Sequence, residues 1–363
     1  MSKKLLIFIP SIEDGGVEKN LYILANYFYK NLGYLEIVTT SYDKKNYFNN
    51  KINFFGPKFK FLLKSGRYIK YLVSLIFLIK QIIANKRNIV ILSFQANIFA
   101  VAIAKIFFIK IITRSNSSPS GWSNNFFKNI IFNFLLKKAD TIIVNSLIFK
   151  KQFLTKFNLK THCIYNPFQK NNIKQKSNQR INFNFFNKKN LNIITVGRLT
   201  DQKDQITLVK SFLLIKKKLK AKLVIIGKGV MYVKLKKFID ENKLKGNVKL
   251  LGYKRNPFPY IKRCDIFILT SKFEGLPNVL IEAQFLKKYI ISSDCPTGPK
   301  EILLSGKAGS LFQIGDFVQL SKLINNYTKK NSIKKINIGY KNLYRFDYEK
   351  NCKKYLYIIN KYL

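Results

Sequence analysis

Short apolar runs alternate with longer amphipathic segments along most of the chain. The first run covers residues 4–10, and similar runs recur near 35–40, 88–94, 109–114 and 140–145. Runs of this length bounded by turn residues predict buried strands. The amphipathic stretches between them predict helices over 17–30, 66–85, 97–106, 123–137 and 147–156. Strand, helix, strand in this order is the signature of a parallel sheet with helices on its faces. Around 166–190 the text "NPFQKNNIKQKSNQRINFNFFNKKN" loses periodicity and fills with Asn, Lys and Gln, which predicts a linker over 169–190. The pattern then restarts. Strands are expected near 192–197, 222–227, 247–251, 265–270 and 289–293, with helices near 204–219, 231–243, 277–287 and 299–304. The expectation is an α/β protein of two Rossmann-like doubly wound domains, 1–168 and 191–345. A last amphipathic helix, 346–363, is expected to pack back on the first domain. No fixed-period repeat of the solenoid kind is present.

Composition adds two constraints. A chain of 363 residues, 47% of them apolar, has room for two cores. It carries 66 Lys and Arg against 18 Asp and Glu, a formal net charge of +48. Such a field favours polyanions: nucleic acid, an anionic membrane, or phosphorylated small molecules. Compositional drift is the other reading, because Lys, Asn, Ile, Phe and Tyr are enriched together throughout. The cysteines are Cys163, Cys264, Cys295 and Cys352, with no CxxC spacing, and His162 is the single histidine. A zinc site, a Ser-His-Asp triad and a disulfide framework are all disfavoured, so no metal is expected and a reducing, cytoplasmic compartment fits. "MSKKLLIFIP" mimics a signal peptide, but "SIEDGG" follows without a small-residue cleavage site, so it reads as a first strand. "YLVSLIFLIKQII" (71–83) and "NIFAVAIAKIFFIKII" (97–112) are too short or lysine-broken to span a bilayer. They read as core helices or as surfaces resting on a membrane.

The chemistry gathers where four strands of the second half end. "GRLTDQKD" follows 192–197 and supplies Arg198 and Lys203; "GKG" follows 222–227; "GYKRNP" follows 247–251; "FEGLPNVLIEA" follows 265–270. In an open parallel sheet, ligands bind at these carboxyl ends. Arg198 offers a forked donor for phosphate oxygens and Lys203 a point charge. Pro277 can begin a helix, and the N–H groups of 278–280 would then face the rim. Glu274 precedes that turn and Glu282 lies beyond it, so the two carboxylates suit two hydroxyl groups of one elongated ligand better than a hydrolytic pair.

These segments resemble glycosyltransferase family 4, the group 1 retaining nucleotide-sugar transferases of the GT-B fold. "EGLPNVLIE" resembles the family's E-x7-E motif, and "VGRLTDQKDQITLVKSF" its Gly-Arg-Leu-x4-Lys segment. "ISSDCPTGPKEILLSGKAGSLF" (291–312) resembles its next strand, Gly-Pro-x-Glu loop and glycine turn, and "GGVEKNLYILANYF" (15–28) its glycine-pair loop and first helix. The resemblance implies two domains facing across a cleft. Arg198 and Lys203 would hold the donor diphosphate, Glu274 the transferring sugar, and the amides of Asn278 and Val279 the distal phosphate. Glu282 would take the ribose hydroxyls. Gly252 and Tyr253 are candidates for the base pocket, and Gly15 and Gly16 would admit the first domain's backbone to the donor. Where many members carry a histidine, this chain reads "TRSNSSPSGW" (113–122), so Arg114, Ser115 and Asn116 are candidate sugar contacts.

The implied activity is transfer of a hexose or N-acetylhexosamine from a nucleotide sugar, a UDP-sugar, to a lipid-linked or cell-surface polysaccharide precursor. No further cofactor is called for. Basic-aromatic stretches such as "KFKFLLKSGRYIKYL" (58–72) point to an anionic membrane, and so to a peripheral place on the inner face of the plasma membrane. A GT-B sugar phosphorylase or an inactive relative remains open. A nucleic-acid-binding protein is disfavoured, because the charge is spread over both halves and no recognition motif accompanies it.

Overall fold

The computed structural model describes residues 3–13, 15–58, 65–116, 126–216 and 219–363. Residues 59–64 of the basic-aromatic stretch and 117–122 of "TRSNSSPSGW" lie outside the described residues, as do 123–125 at the start of an expected helix. The chain divides into two compact units: residues up to Pro167 together with Tyr348–Leu363, and Phe168–Asp347.

The first unit holds a seven-stranded parallel sheet: β1 (Lys4–Phe8), β2 (Glu36–Val38), β3 (Asn53–Phe55), β4 (Ile89–Ser93), β5 (Lys110–Ser115), β6 (Thr141–Val144) and β7 (His162–Cys163). Their order is β3-β2-β1-β4-β5-β6-β7. The chain therefore reverses its direction of travel across the sheet between β1 and β4. Its helices are α1 (Gly16–Leu32), α2 (Arg67–Ala84), α3 (Asn97–Ile106), α4 (Phe126–Lys137) and α5 (Leu147–Phe157). Strand side chains alternate, so Leu5 and Ile7 pack into one core with Leu24 and Phe28 of α1. Leu6 and Phe8 pack on the other face with Leu78, Ile82 and Ala100 of α2 and α3.

The second unit begins with α6 (Lys170–Ser177), inside the stretch expected as a linker. The segment is fastened to its unit: Asn256 donates to the Lys176 carbonyl (2.9 Å), and the Arg263 guanidinium to the carbonyls of Phe183 and Ile181 (3.2 Å each). Only Ile173 and Ser177 of this helix are buried, too few to leave a periodic apolar pattern. The six-stranded parallel sheet follows with β8 (Asn192–Val196), β9 (Lys222–Ile226), β10 (Val248–Leu250), β11 (Ile266–Leu269), β12 (Tyr289–Ser293) and β13 (Ser310–Phe312), ordered β10-β9-β8-β11-β12-β13.

Its further helices are α7 (Gln205–Ser211), α8 (Tyr232–Glu241), α9 (Phe258–Arg263), α10 (Asn278–Phe285), α11 (Pro299–Ile302), α12 (Phe317–Asn325) and α13 (Lys329–Lys341). α7 is shorter than the expected 204–219, because a 3-10 turn at Phe212–Leu214 interrupts it. The strands not expected from sequence, β3, β7 and β13, have two or three residues each. The final helix, α14 (Tyr348–Asn360), belongs to the first unit, where Cys352, Tyr355 and Ile359 are fully buried in the same core as α1.

Candidate functional site

In the second sheet the direction of travel reverses between β8 and β11, and such a switch point leaves a crevice at the strands' carboxyl ends. The loops leaving these two strands are stitched together there. Thr270 donates its hydroxyl to the Lys203 carbonyl (2.9 Å), and the Lys272 amide donates to the Gln202 carbonyl (2.8 Å). The Gln202 side chain returns to the Phe273 carbonyl (2.9 Å). Lys272 closes the outer edge on Asp201 at 2.7 and 2.8 Å.

This stitching places the Lys203 ammonium 2.5 Å from Glu274 Oε1, with Lys203 16% and Glu274 7% exposed at the side chain. The same carboxylate oxygen accepts from the Ser271 hydroxyl at 2.6 Å. Thr297, in the loop after β12, donates to the Glu274 backbone carbonyl. Gly298 in that loop lies so near the "EGLPN" turn that a Cβ would fall 2.1 Å from the Gly275 carbonyl, at a φ of +86°. A side chain there would displace the turn that carries Glu274.

The "GKG" glycines have a similar reason. A Cβ on Gly227 would stand 1.8 Å from the Gly197 carbonyl, and one on Gly229 2.2 Å from the Leu199 carbonyl. Backbone hydrogen bonds from Leu199 to Lys228 and from Met231 to Leu199 run through this close approach. Arg198 thus sits on a loop clamped from beside, with its side chain exposed. The Gly252 carbonyl accepts from the Gly227 amide at 2.9 Å, and half-exposed Tyr253 has the Lys228 ammonium 5.0 Å above its ring. Arg198, Lys203, Gly252, Tyr253 and Glu274 therefore share one rim.

Pro277 precedes α10, and Asn278 and Val279 occupy its first turn. The Leu280 N–H, expected to face the rim with those of 278 and 279, instead donates to the Pro277 carbonyl at 3.1 Å. Glu282 lies one turn further and is only 5% exposed.

In the first unit Gly15 caps α1 after the loop leaving β1, beside that sheet's own switch point, and Gly16 opens the helix. The residue beneath Gly15 is the buried Glu18. The expectation for Arg114 is corrected. Its side chain is fully buried and reaches inward, donating to the Tyr355 hydroxyl and to Asn166 Oδ1 (2.8 Å each) and to Asn116 Oδ1. Asn116 in turn donates to the Phe94 carbonyl (3.1 Å), and Ser115 is 4% exposed. Arg114 and Asn116 thus hold the end of β5 together through these hydrogen bonds.

Ser271, Thr297 and Gly298 support Glu274 but do not emerge as site residues from sequence reading. A hydroxyl three residues before an acid is the one local signal. Among the described residues no group of three or more His, Cys, Asp or Glu side chains is placed to hold a metal ion.

Cys295 lies against this site, its thiol directed at the Thr297 carbonyl (3.6 Å). Burial first, and then the Glu274 charge, push its pKa up to about 12; burial does the same for Cys264. At pH 8 each thiolate fraction is then about 10⁻⁴. A thiol-disulfide dye added to the native protein is expected to leave both unlabelled over minutes and to label them on unfolding, as peptide mass mapping would read. Both pKa values are raised, so folding binds more protons than the unfolded chain once pH passes 9. Stability should accordingly fall between pH 9 and about 12.

The geometry agrees with comparisons to known proteins. Residues 176–342 match the family described as glycosyl transferases group 1. The second unit is a group 1 glycosyltransferase domain. An uncharacterized glycosyltransferase of Methanocaldococcus jannaschii is 37% identical over 198 residues, 52% of this chain and 48% of that protein. A Campylobacter jejuni protein named N-acetylgalactosamine-N,N'-diacetylbacillosaminyl-diphospho-undecaprenol 4-alpha-N-acetylgalactosaminyltransferase is 30% identical over 213 residues, 56% of each chain. The chain thus spans about half the length of these curated relatives. Among solved structures, the Anabaena protein HepE in complex with UDP matches with a TM-score of 0.78 at 17% identity, covering 99% of this chain and 100% of that one. At that identity the likeness shows the fold, which is GT-B. The group 1 domain contains every expected donor-binding residue except Gly15 and Gly16, which lie in the first unit.

Proposed function

We propose that the chain is a retaining glycosyltransferase of family 4. On this reading it moves a hexose or N-acetylhexosamine from a UDP-sugar to a lipid-linked or cell-surface polysaccharide precursor. The reading rests above all on the Lys203–Glu274 pair at the second sheet's switch point, 2.5 Å apart and held by Ser271. A cation and an acid side by side suit a ligand whose diphosphate adjoins a polyhydroxylated ring. Arg198 and Lys203 bind the diphosphate oxygens, and the Asn278 and Val279 amides take the distal phosphate. Glu274 accepts from the sugar's hydroxyls and Glu282 from the ribose, while Gly252 and Tyr253 border the base. Gly15 and Gly16 are the first unit's contribution.

The reaction then balances within the two substrates. The bond between the anomeric carbon and the diphosphate oxygen breaks, and the acceptor hydroxyl oxygen bonds to that carbon on the same face. The hydroxyl proton passes to the departing diphosphate, and Arg198 and Lys203 stabilise the charge that develops there. No cofactor beyond the nucleotide sugar enters. The Campylobacter relative's name, with its diphospho-undecaprenol-linked acceptor, and the UDP in the Anabaena complex support this choice of donor and acceptor. The acceptor places the enzyme at the cytoplasmic face of a membrane.

A thermal-shift series with UDP-, GDP- and ADP-sugars tests the reading. The matching donor at a hundred times its Kd should add about 2.7 kcal/mol of stability. Arg198→Ala and Glu282→Ala should each remove that shift while the protein stays folded. A shift that survives both substitutions overturns the site assignment.

A further inference from the structure

One helical layer of the first unit is apolar on both its sides. Helix α2 turns Ser74, Leu78 and Ile82 into the unit, all fully buried. At 3.6 residues per turn, Ile69, Leu72, Ile76 and Ile83 share one arc on the opposite side, and they are 52%, 63%, 45% and 62% exposed. A helix with two apolar stripes presents more apolar surface than its own unit covers. The layer continues sideways. α3 packs between α2 and α4, and Phe99 of α3 meets Tyr71 of α2 ring to ring at 6.4 Å while remaining half exposed. Phe134 of α4 is 60% exposed. An apolar face of this kind marks an interaction surface.

Phe108 supplies an independent observation. It closes α3 in the left-handed conformation, φ +57°, with Phe108 N–H on the Lys105 carbonyl and Ile109 N–H on the Ala104 carbonyl (2.7 Å). That position favours glycine or asparagine, and a phenylalanine there carries a backbone penalty. It recovers little packing in return, because it is 87% exposed.

Charge selects the occupant. The sequence has no Asp or Glu between Asp43 and Asp140. Asp140 itself is held by Lys105 (2.6 Å) and Lys110 (3.0 Å), which keep its carboxyl below the usual range against the opposing effect of burial. Arg67, Lys80, Lys137 and Lys138 are exposed around the stripe. A second copy of the chain would bring the same positive charge to the same face, which opposes self-association. No described helix is long and apolar enough to cross a membrane, so the face can lie on a bilayer but not span it.

We propose that the α2–α3–α4 face of the first unit seats on an anionic lipid bilayer, with Leu72, Ile76, Phe99 and Phe108 in the interface and the surrounding lysines and arginines at the headgroups. This names the surface at which the activity proposed above would meet a lipid-linked acceptor, and it rests on that reading only for its purpose.

Flotation of the full chain with phosphatidylcholine vesicles, with or without phosphatidylglycerol, tests it. The protein should float with the anionic vesicles and not with the neutral ones. Leu72→Glu/Ile76→Glu should lower the partition about tenfold or more while leaving the melting temperature and any UDP-sugar shift unchanged. Phe108→Asn should lower partition and keep or raise the melting temperature, an outcome a purely structural phenylalanine would not give. Three results would overturn the proposal: no flotation, flotation equal in all variants, or a concentration-dependent dimer that Leu72→Glu/Ile76→Glu dissolves. Failure of the donor reading shows separately, as absence of a UDP-sugar shift in the unaltered protein.

Discussion

Replacing Lys203 by alanine is expected to lower kcat/KM for the matching UDP-sugar by about 10²–10³-fold and to cost about 2–4 kcal/mol of stability. The two losses have one cause. Glu274 is 7% exposed, and without the ammonium 2.5 Å away its carboxylate keeps, among the described residues, only Ser271 as a side-chain donor. A nearly buried charge so abandoned is destabilising. The catalytic loss follows from the proposed function, since the same ammonium stabilises the departing diphosphate. Glu274→Gln separates the roles. The amide oxygen still accepts from Ser271, so the stability cost should fall to about 1 kcal/mol, while the loss of a carboxylate beside the sugar should still lower kcat/KM strongly. Steady-state kinetics with urea denaturation of both variants decide the matter. If both keep kcat/KM within about threefold of the parent, the pair only braces two loops.

What the sequence disclosed here was what local pattern can carry. β8, β9, β11 and β12 are four- or five-residue strands, each centred on two to four consecutive Ile, Leu, Val or Phe residues and nearly all buried, so they announce themselves without alternation. The residues that follow such runs had to line the carboxyl rim, and the rim assembled Arg198, Lys203, Gly252, Tyr253 and Glu274 as that logic requires. The "GKG" glycines were legible as glycines, but their reason was not. Only the fold shows that two backbone segments pass so closely that no Cβ fits between. The supports of Glu274 come from three separate loops, with Thr297 lying 23 residues beyond its acceptor, and no spacing rule joins them. Helix α6 was hidden for the opposite reason: its polar composition matched a linker, and tertiary hydrogen bonds from Asn256 and Arg263 hold the segment in place.

Arg114 is the sharpest case, and it carries the second large effect. A cation at a strand's carboxyl end, beside the polar run "SNSS", reads as a ligand contact. Its register says otherwise, because Ile112, two residues earlier on the same face of β5, lies in the core shared with α14. Arg114 therefore points beneath that helix, where Tyr355 waits 241 residues further along the chain. The guanidinium donates to three neutral acceptors and lies 5.2 Å from the Phe94 ring. Tyr355→Phe removes one acceptor from a fully buried charge and should cost about 1–3 kcal/mol. Arg114→Ala leaves a cavity and strips Tyr355, Asn116 and Asn166 of a shared donor, so it should cost about 3–5 kcal/mol. The two act on one bond, so the double variant should be less destabilised than the sum by about 1 kcal/mol or more. Urea denaturation of the cycle reads this directly. Strict additivity would mean that the arginine does not tie the end of β5 to the last helix.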